Sequence, residues 1–361
     1  MARHSKSGET SPAKGRGAGI NIQGRFEAMS RQPEDDGWDL PEEGAPAPLT
    51  QVMEWQAKSA IARNDSPDVP FSQSVNPYQG CEHGCIYCYA RPSHAYFNLS
   101  PGLDFETRLL AKTHAPQLLR RELARPGYRC EVLALGANTD PYQPIERQRR
   151  ITRGILEVLA ECRHPVSIVT KSALVEKDLD LLVPMAEQGL ARVALSVTTL
   201  DAELARRMEP RCPSPQRRLQ AIARLAGAGV PVGVLAAPVI PFLTDPELEA
   251  ILKAARQAGA GFAGFVLLRL PHEVNLLFQD WLERHYPLKA AHVMSRLRQM
   301  RQGRDNDPAF GRRMTGSGEW ARLLARRFDA ARRRLGFAEK MAPLDRSRFK
   351  PPALDHQLAL F

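Results

Sequence analysis

The sequence predicts an α/β protein built on a parallel sheet, and three observations carry that expectation. Six short, mostly apolar runs lie between residues 69 and 270, the pattern of strands buried on both faces. Segments with apolar residues at three- and four-residue spacing lie between them, as crossover helices require. The apolar content of 43% is that of a globular chain, and 361 residues suffice for one large domain with extensions. Six such β/α units build either a partial barrel or a doubly wound sheet, and periodicity does not separate the two.

Taken in order, residues 69–75 form the first expected strand, which runs directly into a cysteine loop. Leu118, Leu119 and Leu123 predict a helix over 116–125, and 131–137 (EVLALGA) is the second strand. Ile151, Ile155, Val158 and Leu159 share one face of a helix over 147–162. The third strand, 166–170, precedes a helix through Leu179, Leu182 and Met185. Strands four to six are expected at 192–197, 230–236 and 264–268, with helices over 216–228 and 246–258 between them. Ser214 is a natural cap for the first of these helices, and Pro215 suits its first turn. Beyond Leu270 the strands stop, and helices are expected over 274–285, 289–301 and 318–335. In the last, Trp320, Leu324, Phe328, Ala331 and Leu335 form an apolar stripe, with Arg322, Arg326 and Arg333 off it. That stripe is expected to close an open side of the barrel.

Composition divides the chain into a tail (1–48), a lead-in (49–68), the β/α region (69–270) and a helical basic extension (271–361). The tail holds 7 Gly and 5 Pro, basic to Arg31 and acidic after it, and reads as disordered. Its Lys14-Gly15-Arg16-Gly17 run leaves a nucleic-acid-contacting arm open as an alternative. The N-terminus lacks the apolar core of a signal peptide, and the longest apolar stretch, near 232–243, is too short to span a bilayer. Cys130, Cys162 and Cys212 are scattered like ordinary reduced thiols, so a soluble, cytoplasmic protein without a membrane partner is expected. The net charge of +10 is concentrated: Arg284 to Lys350 carries 18 Lys and Arg against 6 Asp and Glu. Such an excess suits DNA or RNA phosphates. With 40 of the 50 basic residues being Arg, a solvated face reflecting a GC-rich genome is the other reading.

The chemistry concentrates in Gly80-Cys81-Glu82-His83-Gly84-Cys85-Ile86-Tyr87-Cys88-Tyr89. Three cysteines within eight residues can turn their thiolates toward one point. A [4Fe–4S] cluster normally takes four cysteines, so three would leave one iron open to another ligand. Zinc is the alternative, with His83 or His94 as fourth ligand. A disulfide would leave one thiol over.

Cys81, Cys85 and Cys88, with Tyr87 just before the last, resemble the loop of the radical S-adenosylmethionine (SAM) enzymes. The longer run from Asn76-Pro77-Tyr78-Gln79-Gly80 to Cys88-Tyr89-Ala90-Arg91 is similar to their spore photolyase-like branch. The resemblance implies a partial (β/α)6 TIM-type barrel and a [4Fe–4S] cluster whose open iron chelates SAM. It also implies a one-electron reductant of the flavodoxin or ferredoxin type, and reductive cleavage of SAM to methionine and a 5′-deoxyadenosyl radical.

In β/α barrels the working residues stand at the C-terminal strand ends. By resemblance Tyr87 packs beside cluster and adenine; a core aromatic is the plainer reading. Asn138, Thr139 and Asp140 fall where the family holds the SAM amino group, and an Asx turn before Pro141 would use the same residues. Lys171 would pair with the SAM carboxylate, unless it is a solvated lysine. Ser196 and Thr198 offer hydroxyls to SAM, and Glu209 and Arg218 of the 208–219 segment would line the cofactor side. Tyr89 is the candidate for returning hydrogen. One departure stands out: spore photolyases carry a cysteine just after the second strand, where this chain has Gly136-Ala137-Asn138-Thr139. The reading is a radical SAM enzyme acting on an unidentified substrate, with nucleic acid as the favoured class. The alternative is a non-catalytic Fe–S or zinc nucleic-acid-binding protein.

Overall fold

Six parallel strands form the centre of the structure, a computed structural model that describes residues 15–26 and 48–353. They are β1 (Gln73–Val75), β2 (Leu133–Leu135), β3 (Val166–Thr170), β4 (Ala191–Ser196), β5 (Val232–Val239) and β6 (Phe262–Leu267). Each pairs with the next in chain order, in registers such as Leu133 with Val166, Val166 with Ala191 and Val193 with Val232. A doubly wound sheet reverses its strand order at a switch point; this one never reverses. The fold is therefore a partial (β/α)6 barrel. Leu133, Ile168, Val193, Leu195 and Val234 are wholly buried, each contributing about 1.5–3 kcal/mol of burial.

The first strand departs from expectation. Only Gln73–Val75 of 69–75 pairs in the sheet, and a further strand, Ile61–Arg63, runs antiparallel along its free edge. A small second sheet joins Gln51–Glu54, Arg108–Ala111 and Tyr78–Gln79. The lead-in thus supplies two strands, and the chain enters the cysteine loop from Tyr78–Gln79. Ser214 does cap the helix Pro215–Gly227, accepting from the Arg217 amide at 3.3 Å.

The extension forms helices Glu273–His285, Pro287–Met300 and Gly318–Arg334. Leu324, Phe328 and Ala331 are buried and Phe328 lies 4.7 Å from the Phe265 ring, so the stripe covers the flank of β6. It does not bridge the open side, contrary to expectation. The loop before it does: Met314 accepts from the Leu267 amide of β6 at 2.9 Å, while Gly311 and Arg313 bind Asp68 ahead of β1 at 2.7 and 2.5 Å. The buried Arg301 donates to the carbonyls of Leu267, Leu268, Arg312 and Arg313 and locks that loop to β6.

Part of the expected tail is not a tail. Arg16, Gly17 and Ala18 are buried, because they meet a carboxylate far away in sequence, that of Glu106. Arg16 donates to the carbonyls of Glu106 and Pro48 at 2.8 and 2.6 Å, so its guanidinium is committed to the protein. Residues 1–14 and 27–47, with the acidic run, lie outside the described residues.

Candidate active site

The cysteine loop stands at the C-terminal ends of the strands and is pinned from several sides. Cys81 N donates to Phe105 O at 2.8 Å, Ile86 N to Met208 O at 3.0 Å and Cys88 N to Cys85 O at 3.2 Å. Cys81 and Cys85 are buried and Cys88 is partly exposed. Arg91 and Glu106, both with no exposure, pair at 2.5 Å. Arg91 also donates to the carbonyls of Gly84, Cys85, Pro101 and Gly102, while Glu106 accepts the amides of Gly17 and Ala18 at 2.9 and 2.8 Å. A Cβ on Gly17 would collide with the Gly84 carbonyl. Arg91 was visible in the motif, but its partner Glu106 was not, because nothing local marks that pairing.

Below the loop, four predicted residues form one buried network. The Tyr87 hydroxyl donates to Glu209 and lies 3.2 Å from Thr198 Oγ1, which also donates to Glu209 at 2.7 Å. Arg218 pairs with the other Glu209 oxygen and donates to Ser196 O at 3.1 Å. Burial pushes Glu209 up to about 7 even though Arg218 opposes it. Ser196 enters through its backbone carbonyl.

Lys171 and Asp140 join at the next two strand ends. The Lys171 ammonium sits 5.7 Å from the Tyr87 ring centroid. Burial disfavours its charge, but the nearby sulfurs of Cys85, Cys212 and Cys88 outweigh that and raise its pKa. Asp140 accepts from Thr170 Oγ1 at 2.6 Å, Lys171 N at 2.8 Å and Tyr142 N at 2.9 Å, and faces His83 at 3.4 Å. The Asx turn is thus real, and burial is overcome by His83 and these bonds, which hold Asp140 below the usual carboxylate range. Thr139 is buried and donates to Tyr78 O at 2.7 Å, while Asn138 donates to Gln79 Oε1 at 3.2 Å. Both brace the chain leading into the cysteines. Gly136 makes this turn possible, with φ of +88° and Val169 O where a Cβ would be.

Tyr89 points away from this network. Its ring is 47% exposed, its hydroxyl donates to Ala137 O, and the Arg269 guanidinium lies 5.8 Å from its centroid. The structure also brings in a residue that spacing did not reveal: Cys212 Sγ is 3.8 Å from Cys85 Sγ.

The donor set is compatible with a cluster. Cys81, Cys85 and Cys88 share one loop and are all free thiols, the all-sulfur donor type that Fe–S clusters take. His94 bonds Arg108 O through Nε2 at 2.9 Å and keeps its Nδ1 buried without a partner, while His83 faces Asp140 at 3.4 Å beside Cys81. The cationic surroundings from Lys171, His83 and Arg218 lower the Cys85 thiol, although its largest cause is the bond from Cys212.

A partial barrel with a three-cysteine loop at its strand ends defines a class of proteins, and comparison places the chain within it. The chain belongs to the radical SAM superfamily, whose family model matches residues 75–255. It is 40% identical to an uncharacterised protein of Mycobacterium tuberculosis over 257 residues, 70% of this chain and 74% of that one. An uncharacterised protein of Methanocaldococcus jannaschii is 27% identical over 237 residues, 66% and 84% of the two chains. Among solved structures the chain is similar to spore photoproduct lyase complexed with dinucleoside spore photoproduct, with a TM-score of 0.57 and 16% identity over 79% of this chain and 80% of that one. A mutant of that lyase with bound AdoMet matches at a TM-score of 0.56 and 16% identity, over the same shares of the two chains. At such identities the likeness speaks for the fold. No helix among the described residues is long and apolar enough to cross a membrane.

Proposed function

We propose that this chain is a radical SAM enzyme, in which Cys81, Cys85 and Cys88 hold a [4Fe–4S] cluster and SAM binds beside it. When bound and reduced by an external flavodoxin- or ferredoxin-type donor, the cluster supplies the electron that cleaves SAM to methionine and a 5′-deoxyadenosyl radical. The observation that carries this reading is the buried Tyr87–Thr198–Glu209–Arg218 network directly beneath the cysteine loop. Burying an ion pair costs desolvation that packing alone would avoid; here it holds Tyr87 in one orientation at the strand ends.

In this reading Lys171 offers its ammonium to the SAM carboxylate, and Asn138 with the backbone around Asp140 receives the SAM amino group. Ser196 and Thr198 serve the same side. The barrel wall and the loop 309–314 exclude water from a radical that would otherwise react with it. Tyr89, an oxidisable phenol following the last cysteine, is the candidate for returning hydrogen. Nucleic acid is the favoured substrate class, supported by the basic extension and by likeness to the fold of a lyase that takes a dinucleoside photoproduct. Repair of that lesion is disfavoured, because Gly136-Ala137-Asn138-Thr139 carries no thiol where spore photolyases have a cysteine.

Anaerobic reconstitution with iron and sulfide, then dithionite and SAM, tests the proposal. Formation of 5′-deoxyadenosine by the wild type and its loss in Cys85→Ser is the expected result; intact SAM refutes it. The Cys212 contact favours one second reading, a cluster closed by a fourth thiolate that only carries electrons in a nucleic-acid-binding protein.

A further inference from the structure

Tyr87 and Tyr89, on either side of Cys88 in the cysteine loop, each face a cation, and the two cations come from different places. Lys171, after β3, approaches Tyr87 on the side of Cys85 and Cys212. Arg269, two residues beyond β6, approaches Tyr89. Tyr89 in turn reaches Ala137 O after β2. Arg269 and Tyr89 therefore face each other across the mouth, from the last strand to the first strands.

Arg269 is chemically underused. Among the described residues no carboxylate pairs with it within ion-pair distance, Asp68 acting on it only from further off; its Nε is buried without an acceptor, and Nη1 makes a weak bond to Met314 Sδ at 3.5 Å. Its cationic neighbour Arg313 is already spent on Asp68 and Ser66. Arg301, behind it, is spent on four carbonyls. Partly desolvating a guanidinium and crowding it with cations is unfavourable unless an anion completes the site.

The exposed arginines of helix Gly318–Arg334 do not serve this purpose. That helix starts near the C-terminal end of β6, where Gly316 meets Leu267, and ends near its beginning, where Ala338 N donates to Gly261 O at 3.0 Å. Arg333 lies roughly 16 Å further from the mouth than Arg322 along the axis. The mouth has its own cation.

We propose that Arg269 binds a phosphate group of the substrate at the barrel mouth, with the Tyr89 ring beside it and Arg301 as the positioning residue that fixes its loop. This rests on the radical SAM reading for the identity of the mouth, but not for its test. A guanidinium fork is suited to two phosphate oxygens, and an aromatic face to a base.

Fluorescence anisotropy of a labelled single-stranded hexanucleotide on reconstituted protein, over a salt series, tests the proposal. Arg269→Gln is expected to weaken binding at least tenfold and to reduce the log–log salt slope by about 0.7, the value for one single-strand phosphate. Arg269→Lys, which keeps the charge without the fork, should fall between and guards against a folding artefact. Arg333→Gln, at the end of the helix far from the mouth, should bind like the wild type. Competition by dTMP tells a mononucleotide substrate from a polymer; either is a phosphate. Equal affinity of wild type and Arg269→Gln overturns the proposal. So does weakened SAM affinity with unchanged hexanucleotide affinity, which would assign Arg269 to the SAM carboxylate. A protein that binds the hexanucleotide through Arg269 yet leaves SAM intact sinks the enzyme reading alone.

Discussion

Arg91 and Glu106 form an ion pair 2.5 Å apart with no exposure of either side chain, and together they tie the cysteine loop to residues 15–18. The pair fixes the backbone on both sides: carbonyls of the cysteine loop on the arginine, amides of the N-terminal segment on the glutamate.

Arg91→Met leaves Glu106 buried and unpaired, a loss of about 3–5 kcal/mol. Arg91→Lys is expected to recover little, since one ammonium cannot reach four carbonyls and a carboxylate. Urea melts check the stability. Iron content after reconstitution checks the loop: both variants should take up less iron than the wild type, and full uptake by Arg91→Met would contradict this role.

Gly17→Val places a side chain against the Gly84 carbonyl, and displacing the segment should cost about 1–3 kcal/mol. With that cover lifted, the charge-transfer absorbance of reconstituted protein should bleach faster in air than that of the wild type. An unchanged bleaching rate would show that residues 15–18 do not shield the loop.

Glu209→Ala strands Arg218 in the interior at 1% exposure and should destabilise by about 3–5 kcal/mol. Glu209→Gln keeps acceptors for Tyr87 and Thr198 and should lose less. The order of the two urea midpoints decides it.

Cys212→Ala should keep full iron content and SAM cleavage, because three cysteines suffice in this account. Loss of the cluster in that variant would favour the closed, electron-carrying reading.

Burial pushes His94 and His164 down from 6.5 to about 4. Each folded form therefore prefers the neutral ring, and unfolding takes up a proton between those values. Stability is present in full above pH 6.5, falls as pH drops toward 4 by on the order of 3 kcal/mol per group, and levels off below. His164→Gln, which can still meet the Tyr128 hydroxyl now 2.9 Å away, should lose about half of that slope in melts from pH 7 to 4.

The six barrel strands were legible because each is an apolar run bounded by polar residues, and tertiary context moved most of their ends, shortening the first two and carrying the fifth on to Val239. Ile61–Arg63 was not, being half-exposed and three residues long, too short for a period. Helix Ala202–Met208 went unread although Asp201 signals it, accepting from Glu203 N and Leu204 N at 2.8 and 3.1 Å. Residues 15–18 carry the composition of a loose tail, and only a carboxylate about ninety positions away gives them a place. The cysteines were legible by spacing alone. Arg269 was legible only as the end of the sixth strand and Cys212 only as a scattered thiol, since the partner of each is brought in by the closing of the barrel.

The most direct measurement is electron paramagnetic resonance of dithionite-reduced, anaerobically reconstituted protein, recorded with and without SAM. A cluster signal that SAM shifts in the wild type, and that is absent from Cys85→Ser, is the predicted result. A signal identical with and without SAM would mean that no iron accepts it, and would contradict the account.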